Sequence, residues 1–162
     1  MSAKVRVSIL MGSESDLPVM SKAAALLKSF DVACAMTVAS AHRSPDFVRA
    51  LVASGERAGA QVFIAGAGGA AHLAGVVAAH TLKPVIGVPL GSKLSGFDSL
   101  LSTVQMPRGV PVATVAIDNA DNAALLALQI LALGDAALAR RLAEQRKETA
   151  RGIVAKARKA GA

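Results

Sequence analysis

The residues best suited to chemistry lie close together in the segment SAHRSPD, residues 40–46. Among them is His42, and histidine is the residue type best suited to proton transfer at neutral pH. Arg43 carries fixed, fork-shaped donors that fit a phosphate, and Ser40 adds a hydroxyl. The segment also has the composition of a surface turn that caps a helix, and its residues alone leave both interpretations open.

A second polar segment, MGSESD (residues 11–16), follows the first apolar run. Gly12 permits an unusual backbone turn, and Ser13 offers a hydroxyl. Asp16 can accept hydrogen bonds from sugar hydroxyls, or it can cap the helix that begins here. The amide groups at this helix start favour an anion.

A third segment, GAGGAAHLAG (residues 66–75), is rich in glycine. Gly66, Gly68 and Ala71 fit the relaxed dinucleotide-binding pattern G-x-G-x-x-A. The pattern follows the third predicted strand instead of the first, however, and no acidic residue ends the next strand to bind a ribose. The glycines therefore favour a small, flat ligand close to the backbone. His72 begins the following helix, as either a lid residue or an ordinary polar residue.

Several other kinds of active site lack support in the sequence. His72 and His80 are eight positions apart, too far along a helix to share one metal ion. The chain has no H-x-x-x-H, C-x-x-C, P-loop or G-x-S-x-G pattern. The polar segments offer anion binding, one acid–base group and room for a flat ring. We predict a proton-transfer reaction on a phosphorylated small molecule, without a metal or another cofactor.

Regular elements must position these segments, and five apolar runs supply them. The runs predict strands at residues 4–10, 32–39, 61–67, 83–90 and 111–117. Helical segments separate the strands, which indicates βαβ units, a parallel sheet and helices on both of its faces. In such a sheet, ligands bind beyond the carboxyl ends of the strands. The three polar segments occupy those positions, together with residues 90–96.

Capping signals predict where the helices begin. Ser15 or Asp16 is expected to cap the first helix, with Pro18 in its first turn. Ser44 is expected to cap the second, with Pro45 at its first position. The first helix is expected to end at about residue 29 and the second at about residue 58. Two more helices are expected near residues 70–81 and 96–104. A long helix is expected to begin at a cap formed by Asp118, Asn119 or Asp121 and to end at Gly134, and a tail helix follows it.

The composition indicates one domain that associates with copies of itself. The chain has 162 residues, of which 53% are hydrophobic and only 2% aromatic. Because large exposed apolar patches are unusual on monomers, we expect a homo-oligomer. Residues 134–162 form a basic tail, with eight Lys/Arg against three Asp/Glu. A basic tail can contact nucleic acid, but this one has no aromatic residue for base stacking, so a solvated helix face is the preferred interpretation.

The sequence gives no sign of secretion, and its one candidate membrane span has features that argue against it. Cys34 is the single cysteine, which excludes an internal disulfide, and its apolar surroundings predict a buried free thiol. No signal peptide is recognisable, so we expect a cytoplasmic protein. Residues 62–82 carry no Lys, Arg, Asp or Glu and are long enough to cross a bilayer. Their glycines, two histidines and initial strand pattern nevertheless argue against a membrane helix.

Six stretches of the chain, taken together, resemble one known family. They are MGSESD, SAHRSPD, AGAGGAAHLAG, GVPL, DSLLSTVQMPRGVPVATVAI and NAALLALQIL, in this order between about residues 4 and 133. The resemblance is to the N5-carboxyaminoimidazole ribonucleotide mutases (PurE) of de novo purine biosynthesis. It implies an α/β fold: a flavodoxin-like three-layer α/β/α sandwich with a parallel five-stranded sheet and a C-terminal helix. It also implies a homo-octamer, and a reaction that needs no metal, biotin or ATP.

The resemblance implies that a carboxylate moves from the exocyclic nitrogen of an aminoimidazole ribonucleotide to ring carbon C4. By motif position, His42 is the catalytic general acid–base. The implied substrate-binding residues are Ser13, Asp16, Ser40 and Arg43 for the ribose phosphate, Ala67 and Gly68 for the carboxylate or carbon dioxide, and His72 at the edge of that pocket.

The chain also departs from the family pattern in places. Leu17 stands where Trp is usual and Ala74 where Pro is usual, and the loops LGSKLSG and IDNADNAA look shorter than typical. A sister group, the aminoimidazole ribonucleotide carboxylases, uses dissolved carbon dioxide directly. It typically has Lys at the position of Arg43 and lacks the GAGGAAH run, so it resembles this chain less.

Three further functions compete with the mutase. A dinucleotide-dependent oxidoreductase could use the GAGGAA run, although the acidic ribose partner is missing. A non-catalytic nucleotide-binding module would use the same phosphate-suited loops without needing His42. The basic tail could instead bind nucleic acid.

Overall fold

The computed structural model describes residues 4–160, whose centre is a parallel sheet. Its five strands have the order β2-β1-β3-β4-β5, and each neighbouring pair is parallel. This is the flavodoxin-like order, so the predicted fold class is confirmed. The strands are β1 Val7–Met11, β2 Cys34–Val38, β3 Val62–Gly68, β4 Val85–Leu90 and β5 Ala113–Thr114.

Helices follow the strands in the predicted alternation. They are α1 Leu17–Ser29, α2 Pro45–Ala58, α3 Leu73–Ala79, α4 Phe97–Val104, α5 Ala120–Ala132 and α6 Ala136–Ala160, and a 3₁₀ turn at Glu14–Asp16 precedes α1. Residues 62–82 form β3, a turn and α3, not a membrane helix. Among the described residues, no helix is both long and apolar enough to cross a membrane.

The central strands are apolar throughout because helices cover both faces of the sheet. All five residues of β1 and all six of β4 are buried. Such continuous burial is typical of parallel strands in α/β folds and replaces the alternating pattern of a half-exposed sheet. On one face, Val48 and Val52 of α2 pack in a cluster with Leu73 and Val77 of α3.

The predicted fifth strand, residues 111–117, is too long: β5 has two residues. The chain does continue beside β4, because Val115 N donates to Gly87 O (3.0 Å) and Asp118 N donates to Pro89 O (2.9 Å). The N–H and C=O of one residue point to the same side of a strand, so Pro89 faces β5 without an N–H to donate. The ladder is therefore interrupted at Pro89.

The chain forms two compact units, one ending at Ala127 and one beginning at Leu128. The second unit contains the end of α5 and the 25-residue α6. Asp135 begins α6 by accepting a hydrogen bond from Leu138 N at Oδ1 (3.1 Å). Glu144 lies 3.5 Å from Lys147 Nζ and 3.6 Å from Arg151 Nη1, so acidic side chains partly neutralise this basic helix.

Cys34 is only partly buried, which corrects the expectation of a buried thiol. It begins β2, an edge strand with a single neighbour in the sheet. Desolvation still raises the pKa of the Cys34 thiol. The thiol therefore stays protonated to higher pH than a free cysteine and is less nucleophilic.

Candidate active site

The chain reverses its direction of travel across the sheet at β1. From β1 it passes to β2 on one side and then crosses back to β3 on the other. Such a switch point leaves a crevice beyond the carboxyl ends of the two strands, where α/β proteins bind ligands. A cavity of about 460 Å³ lies there. It is lined by Gly12, Ser13, Ser15, Asp16, Ser40, Ala41, His42, Arg43, Ala67, Gly68, Ala70, Leu73 and Gly91.

Seven of the eight residues proposed from the sequence line this cavity, and the eighth, His72, contacts His42. These eight residues come from three loops, and the first and last of them, Ser13 and His72, are 59 positions apart in the chain. A larger open depression of about 1260 Å³ is lined by residues that include Glu56, His80 and Lys83. None of the eight proposed residues lies in it.

The loop after β1 is organised by reciprocal hydrogen bonds. Ser13 adopts an extended backbone before the 3₁₀ turn, and its Oγ accepts hydrogen bonds from Ser15 N (3.4 Å) and Ser15 Oγ (3.0 Å). Asp16 Oδ2 accepts one from Ser13 N (2.9 Å). Asp16 does precede α1, but its side chain makes no capping hydrogen bond to that helix. Its carboxylate instead holds the site loop, and Ser13 is the residue whose side chain caps a helical turn.

Burial raises the pKa of the Asp16 carboxyl. Hydrogen bonds donated by Ser13, Ser15 and Gly12 oppose this shift but are smaller in effect. A half-buried carboxylate still has lone pairs to satisfy after these bonds are made. Asp16 is therefore suited to accept further hydrogen bonds from the hydroxyls of a ligand in the cavity.

Arg43 joins the loop after β2 to the loop after β1. Ser40 Oγ accepts hydrogen bonds from Arg43 N and Arg43 Nε (both 3.2 Å), and Arg43 Nη2 donates to Gly12 O (3.2 Å). The guanidinium is thereby held at the cavity wall although it is exposed. Its remaining N–H groups are free to bind an anion bidentately.

Ser44 is the N-cap residue of α2 and Pro45 its first residue, as predicted, but the predicted role of the serine side chain differs. Its side chain makes no capping hydrogen bond to α2. Ser44 Oγ instead donates to Ser40 O (3.0 Å), which also accepts Ser44 N (2.9 Å). Both bonds close a tight turn around His42 just before Pro45. The helix start therefore fixes the loop that carries the candidate acid–base group.

His42 and His72 form a side-chain pair across two loops. His42 Nε2 lies 2.8 Å from His72 Nδ1, and the rings meet edge to face with centroids 4.9 Å apart at 84°. One nitrogen must donate and the other accept, so the pair couples the tautomers of the two rings. His72 directly precedes α3 and contacts the cavity-lining His42, but it is not itself one of the residues that line the cavity.

The glycines of the third segment have separate structural roles. A Cβ on Gly66 would lie 2.3 Å from Met20 Sδ of α1, so Gly66 allows that helix to pack on β3. A Cβ on Gly68 would meet its nearest neighbours at 3.7 Å, an ordinary contact distance. Gly66 is thus explained by packing and not by a dinucleotide, which weakens the oxidoreductase interpretation. Gly68 leaves open space at the cavity.

The cavity lining also contains Ala41, Ala70, Leu73 and Gly91, none of which is predicted from the sequence to line a site. Gly91 lies in the predicted ligand-facing segment 90–96, and a glycine directly after an apolar strand is a signal that could identify it. Asp118 is predicted only as one candidate for the cap of α5. Asn119 is the residue that caps α5, since its Oδ1 accepts a hydrogen bond from Asn122 N (3.0 Å). Asp118 instead accepts a hydrogen bond from Gly91 N (2.8 Å).

No group of three or more His, Cys, Asp or Glu side chains within residues 4–160 is arranged to hold a metal ion. The groups that converge on the cavity are hydroxyls, one carboxylate, one guanidinium and a histidine pair. This set can bind a phosphate and ribose hydroxyls and can transfer a proton.

Comparison with known proteins identifies the family. The sequence profile of the family described as AIR carboxylase matches residues 6–152. The chain belongs to the AIR carboxylase family. The resemblance predicted from the sequence is thereby confirmed.

Curated relatives within this family extend over nearly the whole chain. The N5-carboxyaminoimidazole ribonucleotide mutase of Pyrococcus horikoshii is 53% identical, over 98% of this chain and 90% of that protein. The mutase of Thermotoga maritima is 52% identical, over 95% and 91%. The phosphoribosylaminoimidazole carboxylase of Saccharomyces cerevisiae is 53% identical over 96% of this chain, which covers 28% of the yeast protein.

A solved structure supports the fold independently. The crystal structure of Treponema denticola PurE superposes with a TM-score of 0.87 at 30% identity. The match covers 94% of this chain and 96% of that one. The fold of this chain is therefore the same as that of a solved PurE structure.

Proposed function

We propose that this AIR carboxylase family member is an N5-carboxyaminoimidazole ribonucleotide mutase, an isomerase of de novo purine biosynthesis. The observation that carries the proposal is that a histidine, an arginine, a carboxylate and small residues converge on one cavity. Curated relatives with this name are 52–53% identical over nearly the whole chain. The reaction moves a carboxylate from the exocyclic nitrogen to ring carbon C4 of the same ribonucleotide.

The ribose phosphate is proposed to bind between the loops after β1 and β2. The Arg43 guanidinium has donors beyond those that bind Gly12 O and Ser40 Oγ, and these suit a phosphate. Ser13 and Ser40 contribute hydroxyls at the same wall of the cavity. Asp16, which is half-buried, is proposed to accept hydrogen bonds from ribose hydroxyls.

The carboxyl group is proposed to sit over the carboxyl end of β3. Ala67 and Gly68 line the cavity there and contribute almost no side-chain volume. A site of this kind can hold a small, flat group such as carbon dioxide against the backbone. Retaining carbon dioxide beside the ring supplies a proximity effect that a freely diffusing molecule lacks.

His42 is proposed to move the protons of the reaction. It donates a proton to the exocyclic nitrogen as the nitrogen–carbon bond of the carbamate breaks and carbon dioxide forms. The C4 carbon then attacks carbon dioxide, and His42 takes the C4 proton, which restores the aromatic ring. One proton leaves and one returns, so the cycle is balanced without metal, ATP or another cofactor. His72, hydrogen-bonded to His42 Nε2, helps to orient the ring.

The test is to incubate the purified protein with N5-carboxyaminoimidazole ribonucleotide in the absence of ATP and bicarbonate. Formation of the C4-carboxylated isomer is the expected result. A parallel reaction contains the unmodified aminoimidazole ribonucleotide and bicarbonate. If product forms only in the parallel reaction, the protein is the carbon dioxide-using carboxylase and the mutase proposal is wrong. If neither reaction yields product and the ribonucleotide only binds, the protein is a nucleotide-binding module.

We also propose that the protein is a cytoplasmic homo-oligomer, an octamer, and that it binds neither nucleic acid nor membranes. An apolar stripe on α4 supports self-association: Phe97, Leu101 and Val104 lie at i, i+4 and i+7 and are 64%, 53% and 47% exposed in the single chain. Leu94, just before α4, is also exposed. Exposed apolar stripes of this kind are typical of subunit interfaces. Light scattering is expected to give an octamer mass for the protein and a smaller mass for Leu101→Glu; a wild-type monomer at micromolar concentration would overturn the proposal.

A further inference from the structure

Asp118 joins the loops that follow β4 and β5. Its Oδ1 accepts a hydrogen bond from Gly91 N (2.8 Å), and its own N–H donates to Pro89 O (2.9 Å). Gly91 lines the cavity of the candidate active site. We propose that Asp118 is a positioning residue for the reaction, because it fixes the backbone of Gly91. This backbone lines the cavity beside Gly68, where the carboxyl group of the substrate is proposed to bind. The expected effect of Asp118 on kinetics rests on the proposed function.

The backbones of Gly91 and Gly68 form one continuous surface. Gly68 is in register with Leu90 at the ends of β3 and β4. A Cβ on Gly68 would lie 3.7 Å from both Gly91 O and Leu90 O. A displacement of Gly91 therefore changes the space directly over Gly68, where the carboxyl group is proposed to sit. Small errors in the position of reacting groups are costly, since rate depends steeply on alignment.

The conformations of Asp118 and Gly91 fit each other. Asp118 has φ +56°, in the left-handed region that aspartate tolerates better than most residues. A Cβ added to Gly91 would lie 2.8 Å from Asp118 Oδ2. The glycine is therefore needed for the carboxylate to come close enough to accept the Gly91 N–H. Gly91 lies in the loop LGSKLSG, residues 90–96, and Asp118 in the segment IDNADNAA, residues 117–124.

The carboxylate of Asp118 is not needed to begin the following helix. Asn119 Oδ1 accepts the hydrogen bond from Asn122 N that caps α5. The hydrogen bond to Gly91 thus stands as the structural use of the Asp118 side chain. Removing the Asp118 carboxylate should therefore change the backbone position of Gly91 and leave the start of α5 intact.

The test compares Asp118→Gly with Asp118→Asn. Glycine keeps the left-handed backbone but removes the acceptor, whereas asparagine keeps both the backbone preference and a side-chain oxygen. We expect Asp118→Gly to lower kcat/KM by about tenfold, mainly through kcat, and Asp118→Asn to stay within about threefold of wild type. Asp31→Gly is the matched control, since Asp31 also has φ +56° but lies before β2, at the opposite end of the strands. It should leave the kinetics unchanged.

A double variant provides a second test. Gly91→Ala should lower kcat/KM because its methyl group meets the Asp118 carboxylate, and Gly91→Ala/Asp118→Gly should be more active than Gly91→Ala alone. The proposal is overturned if Asp118→Gly is as active as Asp31→Gly, if Asp118→Asn is as impaired as Asp118→Gly, or if the double variant shows no recovery. If Asp118→Gly cannot be purified, Gly91→Ala carries the test, and unchanged kinetics would overturn the proposal.

Hydrogen exchange of the Gly91 amide separates this inference from the proposed function. Asp118→Gly should accelerate that exchange relative to wild type and Asp31→Gly, whatever reaction the enzyme catalyses. Faster exchange in a protein without mutase activity would refute the function and retain the positioning of Gly91. Unchanged exchange would refute the positioning even in an active mutase.

Discussion

Replacing His42 with asparagine removes the group that we propose to carry the protons and leaves the phosphate site in place. The Arg43 guanidinium is held by Gly12 O and Ser40 Oγ, at 3.2 Å each, and not by the His42 ring. The tight turn from Ser40 to Ser44 is closed by backbone and Ser44 hydroxyl contacts, which the substitution does not touch. Binding of the ribonucleotide should therefore survive while turnover is lost.

The size of the effect follows from the role assigned to His42. A positioned general acid–base contributes roughly 10²–10⁴-fold to a rate, or about 2.7–5.5 kcal/mol of transition-state stabilisation. The amide of asparagine cannot titrate near neutral pH, so the whole of this contribution should disappear. His72 Nδ1 lies 2.8 Å from His42 Nε2, but His72 does not line the cavity, so it is a poor replacement donor. We expect kcat to fall by at least about 100-fold and KM to change by less than about threefold.

The assay follows isomerisation of N5-carboxyaminoimidazole ribonucleotide, and calorimetric titration measures ribonucleotide binding separately. His80→Asn is the matched control, because His80 is exposed and lines the other depression, not the site cavity. It should retain wild-type kcat. Near-normal turnover by His42→Asn would refute the acid–base role. A large loss of ribonucleotide affinity with unchanged kcat would instead make His42 a binding residue.

Three further predictions concern binding, pH and stability. Arg43→Ala should raise KM for the ribonucleotide by roughly 10–100-fold with a smaller change in kcat. The KM of Arg43→Lys should lie between those of wild type and Arg43→Ala, because lysine keeps the charge but lacks the planar fork. Equal KM values for the wild type and both variants in steady-state kinetics would contradict this prediction. Burial raises the pKa of Asp16 above its ordinary value, so between these two values the folded state holds a proton that the unfolded state has lost. Stability should therefore fall as the pH rises through that window, and Asp16→Asn, which cannot titrate, should lack this fall in urea unfolding; an unchanged pH dependence would show that Asp16 is not its source. Gly59 ends α2 with φ +104°, so Gly59→Ala should lower the free energy of unfolding by about 1–2 kcal/mol and Tm by roughly 2–8 °C. Gly152→Ala, within α6, is the control and should not lower Tm. Equal Tm values for the two variants in calorimetry would contradict the role of the Gly59 backbone.

Local sequence signals were sufficient for most of the fold. The apolar run of β1 predicts a strand because a central parallel strand is buried on both faces, and Pro45 predicts the first position of α2 because its missing N–H costs nothing there. These signals are short-range. Their failures arise where a distant residue intervenes, as when Pro89 of β4 interrupts the ladder to β5.

The side-chain roles were less predictable than the elements. Ser44 has the sequence of a helix cap, yet its hydroxyl donates to Ser40 O because the preceding turn brings that oxygen within 3.0 Å. Asp118 has the sequence of a cap as well, yet its carboxylate binds Gly91, 27 positions away. A serine or aspartate beside a helix start has several partners available, and the local sequence does not rank them.

By itself, the sequence determined which chemical groups the protein has and that they follow parallel strands. Since the carboxyl ends of parallel strands share one edge of a sheet, it also placed His42, Arg43 and Asp16 at the same edge. The tertiary structure alone decided which loops are neighbours, through the strand order β2-β1-β3-β4-β5. That order brings His72 to His42 and Asp118 to Gly91, because contacts between loops depend on distances in space that no local pattern of residues encodes.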